Sequence, residues 1–484
     1  MIRRSFLFSF AQSYSSQMVR IVSLVLLARL LSPDDFGVFA SGQAIMMLIL
    51  VVAEFGLTKY LIQETALTPE RERTALGLSL LVSLACAACV YLAAAFGVGL
   101  VWDRQLAATV SILAVCLLVQ PLTLPIMAMT QRQMRFDTLF YIGTFKTLMN
   151  VAVSVILAWQ GFGYLSLAWG MAAEHLSGAV CALLLLKRYP VRKPSLSRWR
   201  EVFRFGRLAT GMGILHEFGN TSTLVVGQVF LGYAAVGLLN RAQAVNTLFD
   251  KVILQAVTPV ILPALGAATR EGRDLKPLYT TKLAFLSAAC WPFFLFVFLF
   301  AEPLVGVLLG HQWDEAVPVV RILSGVGLFM PFTHLSIQFV IVLGTLDVWL
   351  RRLAWSQLAR LALCIGAAQL SLAWLAATLV VDWGIKAWIM QRPIKMKLDF
   401  TLADLWRATG PSLAMTAACG AAMLAVLTLV PAGHDWSLVL VGAGVWCLTW
   451  LGSALLVHDR IRGEVLHLLG AVRRRLTRSG AATA

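Results

Sequence analysis

Gln17 to Leu57 reads QMVRIVSLVLLARLLSPDDFGVFASGQAIMMLILVVAEFGL. Two apolar runs flank Ser32-Pro33-Asp34-Asp35, and each has the ~20 residues an α-helix needs to cross a bilayer. The break between them reads as a helix start. Ser32 offers a side-chain acceptor to the freed amides, Pro33 fits the first turn, and Asp34 and Asp35 lie at the positive end of the helix dipole. One membrane helix, a tight turn and a second membrane helix is therefore the unit from which the rest of the chain is read.

The pattern continues to the C-terminus. Of 484 residues, 59% are hydrophobic and 13% are charged, whereas a soluble domain is about a quarter charged. So few charges cannot clothe a water-facing surface, and the chain reads as an all-α polytopic membrane protein. Charged or Gly/Pro-containing breaks divide it into fourteen runs, at 11–31, 37–57, 76–100, 106–129, 138–158, 164–186, 208–230, 234–256, 283–309, 318–346, 354–371, 373–390, 408–430 and 437–456. The stretch 354–390 has no strong breaker. It is read as two helices because one helix would carry the basic stretch 391–407 to the opposite side.

There are 40 Lys and Arg against 24 Asp and Glu. With the N-terminus inside, 31 of the 40 fall in inner segments and only Arg104 falls in an outer turn. By the positive-inside bias both termini are expected on the cytoplasmic side of the membrane. Residues 458–478 interleave Val465, Leu466, Leu469 and Val472 with arginines and read as a basic amphipathic tail on the anionic inner leaflet, partner docking being the alternative. No nucleic-acid-binding motif accompanies the charge.

Arg3 and Arg4 precede a full span without a cleavage site, so the first run is a membrane helix and not a signal peptide. All eight cysteines lie in apolar runs, and Cys86-x-x-Cys89 has no neighbouring ligand; they read as small hydrophobes. The outer connections are a few residues long and no phosphate-binding loop is present. An enzyme is therefore not expected, nor a cofactor, apart from H+ or Na+ coupling of transport.

Sliding the chain against itself by 200 positions aligns Leu24 with Leu224, Leu31 with Leu231, Gly37 with Gly237, Gln43 with Gln243 and Leu48 with Leu248. Six spans per half gives a parallel repeat about an axis along the membrane normal. The organisation read from this is an N-lobe over 1–186, a basic cytoplasmic linker over 187–207, a C-lobe over 208–391, two further helices over 392–457 and the tail 458–484.

On the first span Ser13, Ser16, Gln17, Arg20 and Ser23 share one helical face, and at the same offset the seventh carries Gly213, His216, Glu217, Asn220 and Thr223. Charge at mid-bilayer costs roughly 2.5 to 3.5 kcal/mol on insertion scales, so such residues face a cavity or a partner. Arg20, Lys146 and Arg241 are expected to make a phosphate-attracting cavity together with Asn220 and Asn240. Glu174 beside His175 and Glu217 beside His216 are candidate ion-coupling groups. Two readings stay open: a hydrated path, or local pairing, either of Arg20 with Glu217 or of Asn150, His175 and Asn240 with neighbours in their own lobe.

Leu27-Ala28-Arg29-Leu30-Leu31-Ser32-Pro33-Asp34-Asp35-Phe36-Gly37-Val38 resembles the signature at the end of the first helix in polysaccharide-transport flippases of the multidrug/oligosaccharidyl-lipid/polysaccharide exporter superfamily. Glu54-Phe55-Gly56 and Gly237-Leu238-Leu239-Asn240-Arg241-Ala242, with Pro259 and Pro263-Ala264-Leu265, are similar to that family's second and eighth helices. The resemblance implies two six-helix bundles forming a V, two added helices, and alternating access that moves a polyprenyl-pyrophosphate-linked oligosaccharide to the periplasmic leaflet. It carries over Arg29 and Arg241 to substrate binding and Glu54 to ion coupling, and it implies polysaccharide polymerase or co-polymerase proteins as partners. The rival readings are a cation-coupled drug antiporter and a non-transporting scaffold of a glycan-assembly complex. Arg and Lys at mid-depth match or outnumber the acids, which favours an anionic cargo.

Overall fold

In hydrocarbon a backbone amide has no water to bond to, so a chain this apolar must satisfy its amides inside helices. The computed structural model does this: every regular element among the described residues is helical. It describes residues 2–64, 68–97, 103–185, 193–197, 199–249, 265, 269, 271–343, 346–430 and 435–457, with side chains from Ser15 onward except at 63, 341, 346–348, 350 and 457. The tail 458–484, Pro259, Pro263, Ala264 and the side chain of Ser13 lie outside the described residues.

The helices are α1 (Ile2–Leu30), α2 (Pro33–Glu54), α3 (Leu57–Gln63), α4 (Pro69–Phe96), α5 (Arg104–Leu113), α6 (Val115–Arg132), α7 (Phe136–Trp159), α8 (Tyr164–Leu185) and α9 (Trp199–Asn246). After them come α10 (Leu275–Leu299), α11 (Ala301–Leu308), a 3-10 turn (His311–Ala316), α12 (Val317–Ser324), α13 (Val326–Val342), α14 (Leu346–Ala368), α15 (Leu372–Leu398), α16 (Leu402–Leu429) and α17 (Asp435–Val457). Ten of these stretches are long and apolar enough to cross a membrane, eleven if the bent pair at Gly325 is one span. The fold is thus the expected all-α membrane bundle, while the count differs from fourteen for identifiable reasons. α1 and α14 carry mid-helix arginines (Arg20; Arg351, Arg352 and Arg360) and are not among the ten. The seventh and eighth runs join in α9, which is interrupted at Gly232, where φ is 81°. That backbone lies in the left-handed region, which glycine enters without a Cβ penalty. The stretch 354–390 is two helices, parted at Gln369–Ser371.

The chain falls into two compact units. The first comprises 1–241, 308–312 and 357–375. Ser32 caps α2 as its sequence foretells: its Oγ accepts from the Asp35 amide at 3.2 Å, and an Asp35 carboxylate oxygen accepts in return from the Ser32 amide at 3.1 Å. The other Asp35 oxygen accepts from the Tyr164 amide at 2.9 Å and so ties α2 to the start of α8. Gln312 Nε2 donates to the Ala28 and Leu31 carbonyls, which closes the end of α1. Met46, Val110, Leu113, Leu117 and Met171 fill the core between α2, α5, α6 and α8.

The tightest approach in this unit is between α2 and the segment of α9 after Gly232. A Cβ at Gly37 would fall on the Tyr233 carbonyl, and one at Gly237 would fall on the Pro33 carbonyl. Position 37 meets 233 and position 237 meets 33, the same 200-residue offset that aligns the two halves in sequence. This is the reciprocity of a two-fold contact, in which i meets j and j meets i.

At the end of the unit that carries α3, arginines act as ties. Arg71 bonds Glu64 at 3.1 Å and Glu201, at the start of α9, at 2.5 Å. Arg132 Nη1 donates to the carbonyls of Leu61, Ile62 and Glu64 at 2.8, 3.3 and 2.7 Å, neutralising the negative end of α3. The Ser195 amide donates to Arg73 O at 3.0 Å, which lays the end of the linker against α4.

The second unit comprises 242–307, 313–356 and 376–484. Its core centres on Tyr279, whose ring stacks on Phe400 at 5.3 Å and meets Phe339 edge-on at 5.0 Å. The phenol is satisfied by Gln391 at 2.8 Å. α16 and α17 pack on α10 through polar contacts made inside apolar surroundings: Ser287 to Ser412 at 2.9 Å, and Trp450 Nε1 to the Ala288 carbonyl at 2.8 Å. Asp382 and Lys386 form the i, i+4 pair on α15 at 2.8 Å, with the Asp382 side chain 2% exposed.

Candidate functional site

All eleven residues singled out from sequence lie in the first unit, in three groups. The first is a polar seam on α1, α7 and α8. Glu174 receives Asn150 Nδ2 on one carboxylate oxygen at 3.0 Å, and Arg20 Nη2 lies 3.6 Å from the other. The Arg20–Glu174 contact is a single long one, and the Arg20 side chain remains 53% exposed, so most of its donors are uncommitted. Lys146, one helical turn before Asn150, lays its aliphatic stem over Gly178, where a Cβ would sit 3.1 Å from Lys146 Cε. No ion pair to Lys146 is found among the described residues. His175 places Nδ1 3.0 Å from the Met171 carbonyl within its own helix, a bond that requires the Nδ1–H tautomer. The seam thus holds two basic side chains and one acidic side chain.

Helical geometry accounts for the assembly. Lys146 and Asn150 are four apart on α7, and Glu174 and Gly178 are four apart on α8, so each pair shares a face. α1 packs on α7 and α7 on α8, which brings Arg20 to the same line. Arg20 therefore pairs with Glu174 and not with Glu217. Asn150 satisfies a neighbour close by in the fold, as one of the two open readings has it.

The second group sits at the α2–α9 crossing. Arg241 stacks its guanidinium 4.2 Å over the Phe36 ring, and its Nε and Nη2 donate to Asn240 Oδ1 at 3.2 and 2.6 Å. Asn240 thus orients Arg241, and Phe36, buried at 2% exposure, supplies the face it lies on. Arg29 is exposed in the last turn of α1, where a cation suits the helix dipole.

The third group is the α9 stripe. His216 and Asn220 are exposed, Glu217 is half-buried and Thr223 is buried. Arg360 on α14, 5% exposed, donates Nη2 to Thr223 Oγ1 at 2.8 Å, and Gly219 lies against the Gln357 side chain. Sequence reasoning left Arg360 without a role. The signal was available, since an arginine inside the apolar run 354–371 obeys the same mid-bilayer rule that selects Arg20. Glu54 ends α2 at the left-handed pair Phe55 and Gly56 and makes no hydrogen bond or ion pair among the described residues. No group of three or more His, Cys, Asp or Glu among the described residues is placed to hold a metal ion.

Residues 26–318 match the family described as "Polysaccharide biosynthesis protein". The teichuronic acid biosynthesis protein TuaB of Bacillus subtilis (strain 168) is 22% identical over 403 residues, 79% of this chain and 80% of its own length. The succinoglycan biosynthesis transport protein ExoT of Rhizobium meliloti (strain 1021) is 25% identical over 312 residues, 63% of this chain and 62% of its own. Among solved structures, the lipid II flippase MurJ in an inward closed conformation superposes with a TM-score of 0.76 at 12% identity, over 93% of this chain and 98% of that one. At that identity the likeness establishes the fold.

Proposed function

Because the chain belongs to the polysaccharide biosynthesis protein family, we propose that it is a flippase carrying a polyprenyl-pyrophosphate-linked oligosaccharide across the bacterial inner membrane, from the cytoplasmic to the periplasmic leaflet, for cell-surface polysaccharide assembly. The observation that carries this reading is the seam: a half-exposed Arg20 makes one long contact to the Glu174 carboxylate, and Lys146, one turn from Asn150 on α7, lies with its stem over Gly178, so basic side chains outnumber acids in a hydrogen-bonding line on apolar helices. A sugar-pyrophosphate head cannot cross hydrocarbon unaided, since each unsatisfied polar group costs several kcal/mol. A phosphate offers arginine two parallel charge-assisted bonds where Glu174 offers one long contact, so the headgroup competes well for Arg20.

The same geometry supports a part for Glu174 in coupling. Asn150 holds the carboxyl in place, and its protonation removes the charge that draws Arg20 toward it, freeing the guanidinium for cargo. Proton uptake and headgroup binding are then linked through one side chain. The basic residues concentrated in alternate loops support cytoplasmic termini, and polymerase or co-polymerase proteins are the natural recipients of the translocated unit.

The test is complementation of a strain lacking this gene, scored as surface glycan and as lipid-linked glycan retained on the inner leaflet. Each charge-assisted bond contributes about 1.5–3 kcal/mol. Arg20→Ala with Lys146→Ala should therefore cut surface glycan by on the order of tenfold or more, at unchanged protein level, with lipid-linked precursor accumulating. Normal glycan output from the double variant ends the reading.

A further inference from the structure

The tenth apolar run is broken: the stretch His311–Ser324, which belongs to the second unit from Trp313 onward, meets Val326–Val340 at 49° across Gly325. The bend leaves a lateral notch of about 450 Å³, in the range of small-molecule sites. Trp291 and Phe294 of α10 form its buried floor, and Phe298, Leu328 and Leu413, all exposed, form its rim.

The polar groups inside are already satisfied. Pro331 has no amide to give the Gly327 carbonyl, and Cys290 Sγ supplies the missing donor at 3.5 Å. Trp291 Nε1 donates to the Leu328 carbonyl at 3.3 Å. The hydroxyls of Ser324 and Thr416 bond back to Val320 and Ser412 in their own helices at 2.8 and 2.7 Å. The interior therefore offers a guest no free polar group. Such a cavity stays dry in water, and in a bilayer it accepts hydrocarbon.

The mouth is different. Arg321, 44% exposed, lies on the wall, and Glu302, 76% exposed, faces it at 3.8 Å, the far limit of an ion pair. One accessible cation thus lines an apolar slot, with one accessible anion beside that cation. A purely anionic headgroup gains at Arg321 and is repelled at Glu302. A headgroup with a phosphate next to an ammonium matches both.

We propose that this notch is a phosphatidylethanolamine site, with one acyl chain in the slot, the phosphate on Arg321 and the ammonium on Glu302. Gly325, Gly327 and Leu328 line the slot toward mid-span, and Arg321 lies a turn away toward the 3-10 turn, so the chain enters from the leaflet at that end of the unit. The inference uses only the membrane-spanning fold and does not depend on the flippase reading.

The test is native mass spectrometry of the full chain released from vesicles of equal dioleoyl-phosphatidylethanolamine and dioleoyl-phosphatidylglycerol. The wild type should retain one phosphatidylethanolamine in preference by about three- to fivefold, the scale of one exposed ion pair. Glu302→Gln, on an exposed side chain whose change leaves the core intact, should bring the two lipids to parity. Thr416→Trp should remove the bound lipid of either kind. Equal retention of both lipids by the wild type overturns the proposal, as does an unchanged preference in Glu302→Gln. So does displacement of phosphatidylethanolamine by added undecaprenyl phosphate, which would give the notch to a polyprenyl tail.

Discussion

Gly37→Ala and Gly237→Ala each add a single methyl group at the α2–α9 crossing, where it meets a backbone carbonyl and not the movable end of a side chain. Neither Tyr233 O nor Pro33 O can swing aside without disturbing its helix, so the helices must part by on the order of 1–2 Å, and overpacking of this kind costs about 1–3 kcal/mol. Alanine returns about 0.5–1 kcal/mol in helix propensity. The net loss is then on the order of 0.5–2 kcal/mol at either site. Because the contacts are reciprocal, the separation that relieves one also relieves the other. The double variant should therefore fall short of the summed single losses by about 1 kcal/mol, the coupling expected of residues that share one contact. The assay is thermal unfolding of the purified protein in detergent, followed by loss of the monodisperse species. Gly444→Ala, where an added Cβ meets nothing within 4 Å, serves as the control and should melt at or slightly above the wild type. If Gly37→Ala melts with Gly444→Ala, or the double loss equals the sum, the crossing does not hold these helices together.

Ser32→Ala deletes the side-chain half of the α2 capping box and should cost about 1 kcal/mol, read as a lower melting temperature, while Ser32→Asp keeps most of the stability. Lys386→Met removes the ammonium 2.8 Å from the buried Asp382 and should cost on the order of 3 kcal/mol; pairing it with Asp382→Leu should recover most of that loss in the same melting assay.

The α2 cap was legible because its partners lie within four residues: Ser32, Pro33 and Asp35 carry the whole signal locally. The break at Gly232 was legible for the same reason, as a short turn between two apolar runs. Gly37 and Gly237 aligned in sequence, yet that they meet each other's neighbours is a tertiary fact. Periodicity placed Arg20 on a polar face of α1 but carries no information about which helix lies opposite. Its carboxylate partner is Glu174, more than 150 residues away, and not Glu217 on the equivalent stripe. The tenth run read as one span because apolar composition continues through Gly325 and Pro331. Beyond the bend, α10 donates from Cys290 and Trp291 to the Gly327 and Leu328 carbonyls, tertiary contacts that hydropathy does not encode.

The arginine ties beside α3 alter what the chain's charge means to its surroundings. Of the five basic residues in 58–74 and 130–137, Arg71 and Arg132 are occupied by carboxylates and helix-end carbonyls, and Arg135 lies 3.6 Å from Asp137. Only Lys59 and Arg73 stand exposed. Attraction to an acidic lipid surface is worth about 1 kcal/mol per basic residue near it. These two segments therefore present two exposed basic side chains to such a surface where their formal count is five.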